Sequence, residues 1–280
     1  MSRKVAFVTG ASRGIGRASA IALAGVGYDV VVTARTMQEG RSADGRPLPG
    51  SVETTASEVR ALGRDALPLR LDLLDRASID TAVSQTLSSW GHIDVLLNNG
   101  IYTGPGSMDL LLDLDLATVE TMFQANLFSQ LHLVQKVLPG MLERSEGVII
   151  NMVSGAGLSD PPAPAGKGGW GFAYAATKAA FHRMAGVLRV EHPDPGLRFV
   201  NVEPGFVVTE AMKLNDPSGE IHKRFQGAPP EVPAAVIAWL ASSPEAAEWN
   251  GRTVVAQKLA LDRDLHPDWR PTRPDAQRDA

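Results

Sequence analysis

Tyr174 and Lys178, four residues apart in FAYAATK, form a pair that can move a proton. A free phenol has a pKa near ~10, a poor match to neutral pH, and a neighbouring ammonium lowers it by stabilising the phenolate. On a helix, residues four apart share a face at about 6 Å between Cβ atoms. Near the start of the chain, TGASRGIG (Thr9 to Gly16) is a glycine-rich turn. Between a strand and a helix, such a turn offers free N–H groups and a positive dipole end to a pyrophosphate. Alone, the first motif also describes a half-buried tyrosine beside an exposed lysine, and the second a plain turn. Together, in this order, they point to an enzyme that passes a hydride to or from a nicotinamide.

The elements that must carry these residues follow from periodicity. Short apolar runs at Val5–Val8, Val30–Thr33, Ala66–Leu71, Val95–Leu97, Gly147–Asn151, Arg198–Val202 and Thr253–Ala256 read as strands. Helical spacing lies between them: after Gly14, over Val52–Leu62, Ser78–Ser89 and Leu116–Leu138 (with Pro139 and Gly140 beyond), from about Tyr174 to Glu191, and over Pro233–Ala241. Gly/Pro-rich stretches at 36–51 and 155–171 read as loops, and Phe206–Pro230 as irregular. Strand and helix patterns alternate throughout, which argues for one doubly wound α/β domain with a parallel sheet of about seven strands and helices on both faces. The expected order is 3-2-1-4-5-6-7, over residues 1–260, followed by a polar tail, 261–280.

Composition narrows the function classes. With 280 residues and 44% hydrophobic content, the chain can bury one large core. A net charge of -4 gives no electrostatic reason to expect nucleic acid or an anionic membrane. With no cysteine, disulfides, thiolate metal sites and a cysteine nucleophile are excluded. The six histidines show no metal-binding spacing, so no metal site is expected. MSRK leads directly into the first strand, so neither a signal peptide nor a membrane span is expected, and the cytoplasm is the expected location.

The glycine spacing is GxxxGxG, and TGxxxGxG with YxxxK resembles the short-chain dehydrogenase/reductase family from Lys4 to about Val255. The resemblance implies a Rossmann-type fold and an activity on CH–OH or C=O groups. It implies cofactor contacts from Gly10, Ser12, Arg13, Gly14, Ile15 and Gly16 in the first turn, and from Asp72 and Leu73 in LDL. It implies others from Asn98, Asn99 and Gly100 in NNG, and from Pro204, Gly205, Val207 and Thr209 in PGFVVT. Tyr174 and Lys178 would also touch the cofactor. The implied catalytic set is Asn126 in FQANLFS, Ser154 in INMVSGAG, Tyr174 and Lys178: Ser154 holding the substrate oxygen, Tyr174 exchanging its proton, and Asn126 holding a water in a relay to Lys178. Homodimers or homotetramers through the helices 116–138 and 174–191 are implied too.

The second strand decides the expected dinucleotide. An NAD enzyme usually has an acid at its end to bond the ribose 2′-hydroxyl, and Ala34 stands there. Arg35 follows, and Arg13 lies within the glycine turn. Two guanidinium groups suit a 2′-phosphate, so NADP(H) is expected, with NAD(H) possible. Alternatives are an NAD-preferring alcohol or steroid dehydrogenase and a dinucleotide-binding regulator without turnover. Several features depart from the family. DPPAPAGKGGWG lengthens the interval between Ser154 and Tyr174, Ile101 follows NNG, and Val153 replaces a common serine. The Met37–Gly50 loop is long, and the family's DGG-like ending is missing. Trp170, Phe172, Phe206, Met212 and Leu214 would favour an apolar carbonyl or alcohol substrate, although such residues also pack together in any loop.

Overall fold

The structure, a computed structural model, describes residues 3–39, 48–215 and 227–271. Seven parallel strands form one sheet: β1 (Val5–Thr9), β2 (Asp29–Ala34), β3 (Ala66–Arg70), β4 (Val95–Asn98), β5 (Gly147–Met152), β6 (Leu197–Glu203) and β7 (Thr253–Val255). Their order is β3-β2-β1-β4-β5-β6-β7, as expected. The central strands are buried on both faces, which is why they read as unbroken Val/Ile/Leu runs.

Helices cover both faces. On one side α1 (Gly14–Gly25), α2 (Val52–Ala61) and α8 (Glu231–Ser242) pack over Val8, Val32, Leu97 and Ile150. On the other, α3 (Arg76–Trp90), α4 (Leu116–Phe123), α5 (Ser129–Arg144) and α6 (Phe172–Glu191) flank the sheet, and α3, α5 and α6 close on Phe7, Leu96, Ile149 and Phe199. Two short helices also lie among the described residues, α7 (Glu210–Asn215) and α9 (Ala256–Asp262).

The expected helix over 116–138 differs in two ways. It widens into a π-helical turn at Gln124–Phe128, and it then runs through Pro139 and Gly140 to Arg144. Proline removes one donor from the helix ladder, and buried Leu138 and Met141 on either side hold the helix through that loss. The segment expected to be irregular, 206–230, contains α7 and a bridge pairing Val207 with Ala228; 216–226 lie outside the described residues, as do 40–47 of the 36–51 loop. Past β7 the chain folds back. Leu265 and Trp269 pack on the core, and Arg263 pairs with Glu245 and Glu248, while 272–280 lie outside the described residues.

A buried amide ladder crosses the sheet. Asn98 Nδ2 donates to Asn151 Oδ1 at 3.0 Å, Asn151 Nδ2 to Asn201 Oδ1 at 3.3 Å, and Asn201 Nδ2 to the His182 carbonyl at 2.7 Å. The three asparagines are direct register partners on β4, β5 and β6.

The β1–α1 turn depends on two glycines. Gly10 has φ +66°, and a Cβ there would stand 2.8 Å from Gly100 Cα. A Cβ on Gly16 would stand 2.2 Å from the Gly10 carbonyl oxygen and 2.5 Å from Asn99 Nδ2. The first of these obstacles is backbone and cannot swing aside. Gly16→Ala is therefore expected to destabilise the protein by about 1–3 kcal/mol, the usual range for overpacking. Urea unfolding would measure it, and a change under ~0.5 kcal/mol would mean that the turn is looser than this geometry.

Candidate active site

The carboxyl ends of β1, β4, β5 and β6 meet at one edge of the sheet, and the predicted site residues gather there. At the floor of the first turn, Thr9 Oγ1 accepts from the Asn99 and Gly100 amides at 2.9 and 2.8 Å and donates to the Leu97 carbonyl. Asn99 Nδ2 donates to the Thr9 carbonyl at 2.9 Å. One hydroxyl thus joins the ends of β1 and β4, a junction that motif reading did not single out. Asp72 caps its own turn, accepting from the Leu74 amide at 3.0 Å, and the Leu73 carbonyl accepts from Ser129 Oγ.

Near the end of β2, burial lowers the pKa of Arg13, the Glu210 carboxylate opposes this, and the Arg35 guanidinium adds to it. Arg13 donates from Nε and Nη2 to the carbonyls of Pro49 and Gly50, and Arg35 donates to Thr103 Oγ1 at 2.8 Å. Among the described residues neither forms an ion pair with a carboxylate, although the Glu210 carboxylate acts on Arg13 from nearby.

Ser154, at the end of β5, and Tyr174, in the first turn of α6, share a hydrogen bond. Lys178 sits one turn below, buried, and its Nζ donates to the Met152 carbonyl at 2.7 Å. Burial lowers its pKa to about 8. The phenol differs from the sequence-based expectation. Its pKa is raised, chiefly by desolvation and further by the Glu203 carboxylate, with only the Ser154 hydrogen bond opposing. Lys178 does not offset this because its ammonium is turned to a backbone carbonyl. Glu203 was missed by the sequence reading. It ends β6, accepts from the Gly205 amide at 2.9 Å, and lies 3.7 Å from where a Cβ on Gly155 would be.

Asn126 falls within the π-helical turn. Its Oδ1 accepts from the Tyr102 amide at 2.8 Å and its Nδ2 donates to Thr177 Oγ1 at 3.2 Å, so its side chain ties the β4–α4 connection to α6. The PGFVVT segment is pinned by Gln257, whose Nε2 donates to the carbonyls of Pro204 and Phe206 at 3.1 and 2.9 Å. The stretch between Ser154 and Tyr174 leans on the β4–α4 connection, with the Gly171 amide donating to the Ser107 carbonyl at 2.8 Å. Trp170 has its indole N–H buried without a partner, and Phe172 is exposed. A separate hollow of about 490 Å³ lies at the opposite end of the sheet among Lys4, Tyr28, Arg144 and Arg198. Its arginines are engaged by the carbonyls of Gly140, Ile93, Ser243 and Ala241, which makes it a structural network.

Comparison with known proteins agrees with this geometry. The sequence profile of short chain dehydrogenases matches residues 4–218. A 3-oxoacyl-[acyl-carrier-protein] reductase of Synechocystis sp. is 31% identical over 255 residues, 90% of this chain and 95% of that one. The mouse dehydrogenase/reductase SDR family member 7 is 33% identical over 75% of this chain, and the match spans only 57% of that longer protein. A short-chain type dehydrogenase/reductase from Mycobacterium marinum superposes with a TM-score of 0.74 at 25% identity, over 91% of this chain and 94% of that one. No helix among the described residues is long and apolar enough to cross a membrane. A glycine turn at the head of a parallel sheet, a serine–tyrosine pair above a buried lysine, and matches of this extent lead to one conclusion: the chain belongs to the short-chain dehydrogenase/reductase family of NAD(P)-dependent oxidoreductases.

Proposed function

We propose that the protein is an NADP(H)-dependent carbonyl reductase, or the corresponding alcohol dehydrogenase, with Tyr174 as proton donor and acceptor. The observation that carries this reading is the convergence of Ser154, Tyr174 and Lys178 beside a glycine turn flanked by two arginines. The residues fit a dinucleotide: Arg13, at the N-cap of α1, makes no side-chain cap, so the helix's first N–H groups take acceptors from outside the helix, and a pyrophosphate is one that suits them. A bound nicotinamide would supply or accept the hydride. The chain does the rest. Ser154 Oγ holds the substrate oxygen, and the Tyr174 hydroxyl delivers the proton to it. A phenol with a raised pKa is protonated at neutral pH, the form that donates to a carbonyl oxygen during reduction. Lys178 carries charge beneath the phenol, and Asn126 fixes the turn that completes the relay.

Arg13 and Arg35 support a 2′-phosphate, and Ala34 offers nothing to a 2′-hydroxyl. Half-buried Trp170 with exposed Phe172 and Leu214 supports an apolar substrate. Exposed Phe128 and Leu131 on the 116–144 helical run, and Val187 and Val190 on α6, support pairing of these helices in a homodimer or homotetramer. A cytoplasmic location completes the proposal.

Three outcomes test it. With a panel of ketones and aldehydes, NADPH oxidation at 340 nm should fall about 10²–10⁴-fold in Tyr174→Phe while NADPH affinity stays within a few-fold. Retention of a tenth of the wild-type kcat would remove the phenol from the mechanism. A wild-type blank with tight NADPH binding would leave a regulator.

Arg35→Asp should shift the kcat/KM ratio of NADPH over NADH roughly tenfold or more toward NADH, because a charged hydrogen bond is lost and a repelling acid gained. An unchanged ratio would assign the phosphate to Arg13, or to Arg41, which lies outside the described residues.

Burying the Lys178 ammonium carries a stability cost. Its folded pKa of about 8 lies below the ordinary 10.5, a difference equivalent to about 3 kcal/mol at neutral pH. The unfolded chain binds the proton more tightly, so wild-type stability from this group rises with pH between about 8 and 10.5. Lys178→Met should therefore stabilise the free protein at pH 7 by about 1–2 kcal/mol, after the loss of a hydrogen bond to Met152 is deducted. That advantage should shrink by pH 10, as read by urea unfolding at both values. A mutant that is less stable at pH 7, by the same margin at pH 10, would mean the lysine is not held charged against desolvation.

A further inference from the structure

The family's glycine turn is met here by a carboxylate of the same chain. The Gly14 amide, at the first position of α1, donates to Glu210 Oε2 at 3.0 Å. Glu210 Oε1 lies 3.9 Å from Arg17 Nη1, and the same carboxylate raises the pKa of Arg13. The contact spans 196 positions of sequence and joins the β1–α1 turn to the first residue of α7. The preceding residue packs down with it: a Cβ on Gly14 would stand 3.2 Å from Thr209 Cγ2.

The helix explains why a carboxylate settles there. α1 has no acidic residue in its first turn, and Arg13 at its N-cap bonds loop carbonyls in place of the helix. Its first N–H groups and positive dipole end therefore lack an acceptor from their own element. Glu210 provides one, with the negative charge that this end of a helix stabilises. The glycine turn would bring a pyrophosphate to the same N–H groups.

We propose that Glu210 is an affinity-determining residue for the dinucleotide: its carboxylate and the cofactor's pyrophosphate compete for the Gly14 amide, and binding requires the Thr209–Glu210 corner to lift from the glycine turn. This rests on the dinucleotide reading of that turn and adds a residue to it. The apparent dissociation constant equals the intrinsic one divided by the fraction of molecules in which the corner is lifted. Since α7 starts at Glu210 and carries Met212 and Leu214, the displacement also moves a wall proposed for the substrate.

The test compares full-length wild type with Glu210→Gln and Glu210→Ala, using NADPH, NADH and adenosine 2′-monophosphate as probes, titrated by fluorescence or calorimetry. Removing a charged acceptor should tighten NADPH and NADH alike by about tenfold in Glu210→Ala, and by less in Glu210→Gln, which keeps an acceptor without the charge. Adenosine 2′-monophosphate has no pyrophosphate and should gain less than the dinucleotides, only what the charge removed near Arg13 contributes. Without ligand, the alanine variant should melt at a lower temperature than wild type, because α1 has lost its cap. Weaker or unchanged dinucleotide affinity in Glu210→Ala would overturn the proposal, as would equal tightening of adenosine 2′-monophosphate. Failure of wild type to bind any of the three probes would instead sink the dinucleotide reading itself, so the two failures are distinguishable.

Discussion

A buried ammonium must have a partner, and much of this active site is arranged around meeting that demand. Lys178 finds it in the Met152 carbonyl, where β5 ends and can no longer give that oxygen to a sheet neighbour beyond it. For the bond to form, α6 has to lie close against the end of β5. Gly157 permits this, since a Cβ there would stand 2.7 Å from the Ala179 amide. The same approach brings Tyr174 over Ser154. The lysine thus fixes the distance between strand and helix at a cost in stability, which is tolerated because the rest of the sheet is so thoroughly buried.

Charge at this edge of the sheet is unevenly distributed. Arg13, Arg17 and Arg35 gather near the glycine turn, where Glu210 also lies, while Glu203 stands beside the phenol of Tyr174. A cation placed near Tyr174 would weaken its hold on the proton, and Glu203 acts the other way. The two carboxylates at the start and end of the 203–210 segment face different tasks: Glu203 biases a proton, and Glu210 occupies an amide.

Much of the fold was legible in the sequence. Short β-branched runs separated by helical periods marked the strands, because a parallel sheet covered on both faces has no polar alternation to blur the pattern, while their order was expected from the dinucleotide-binding fold. The candidate cluster could be picked out because its members sit in local motifs, YAATK and MVSGAG, each intact on either side of the inserted loop. What sequence reading missed was carried by contacts without local periodicity. The direction of the Lys178 ammonium depends on a carbonyl 26 residues away, and Glu210 meets Gly14 across two-thirds of the chain. Pro139 and Gly140 mark a helix end by local rules, yet flanking core residues carry the helix past them. Leu265 and Trp269 looked like part of a polar tail because isolated apolar residues show no pattern until something covers them.

The asparagine ladder through Asn98, Asn151 and Asn201 has a bearing on accuracy of assembly. Apolar strands buried on both sides are poorly keyed, since a strand displaced by two residues still presents hydrophobic side chains to the same helices. Three amides linked in a single row remove that ambiguity: any such displacement would break their mutual hydrogen bonds in a dry interior at about 1–3 kcal/mol each. The row lies immediately before Asn99, Met152 and Val202. Proofreading of strand alignment is therefore concentrated where an error of one step would carry Ser154 away from Tyr174 and the Met152 carbonyl away from Lys178.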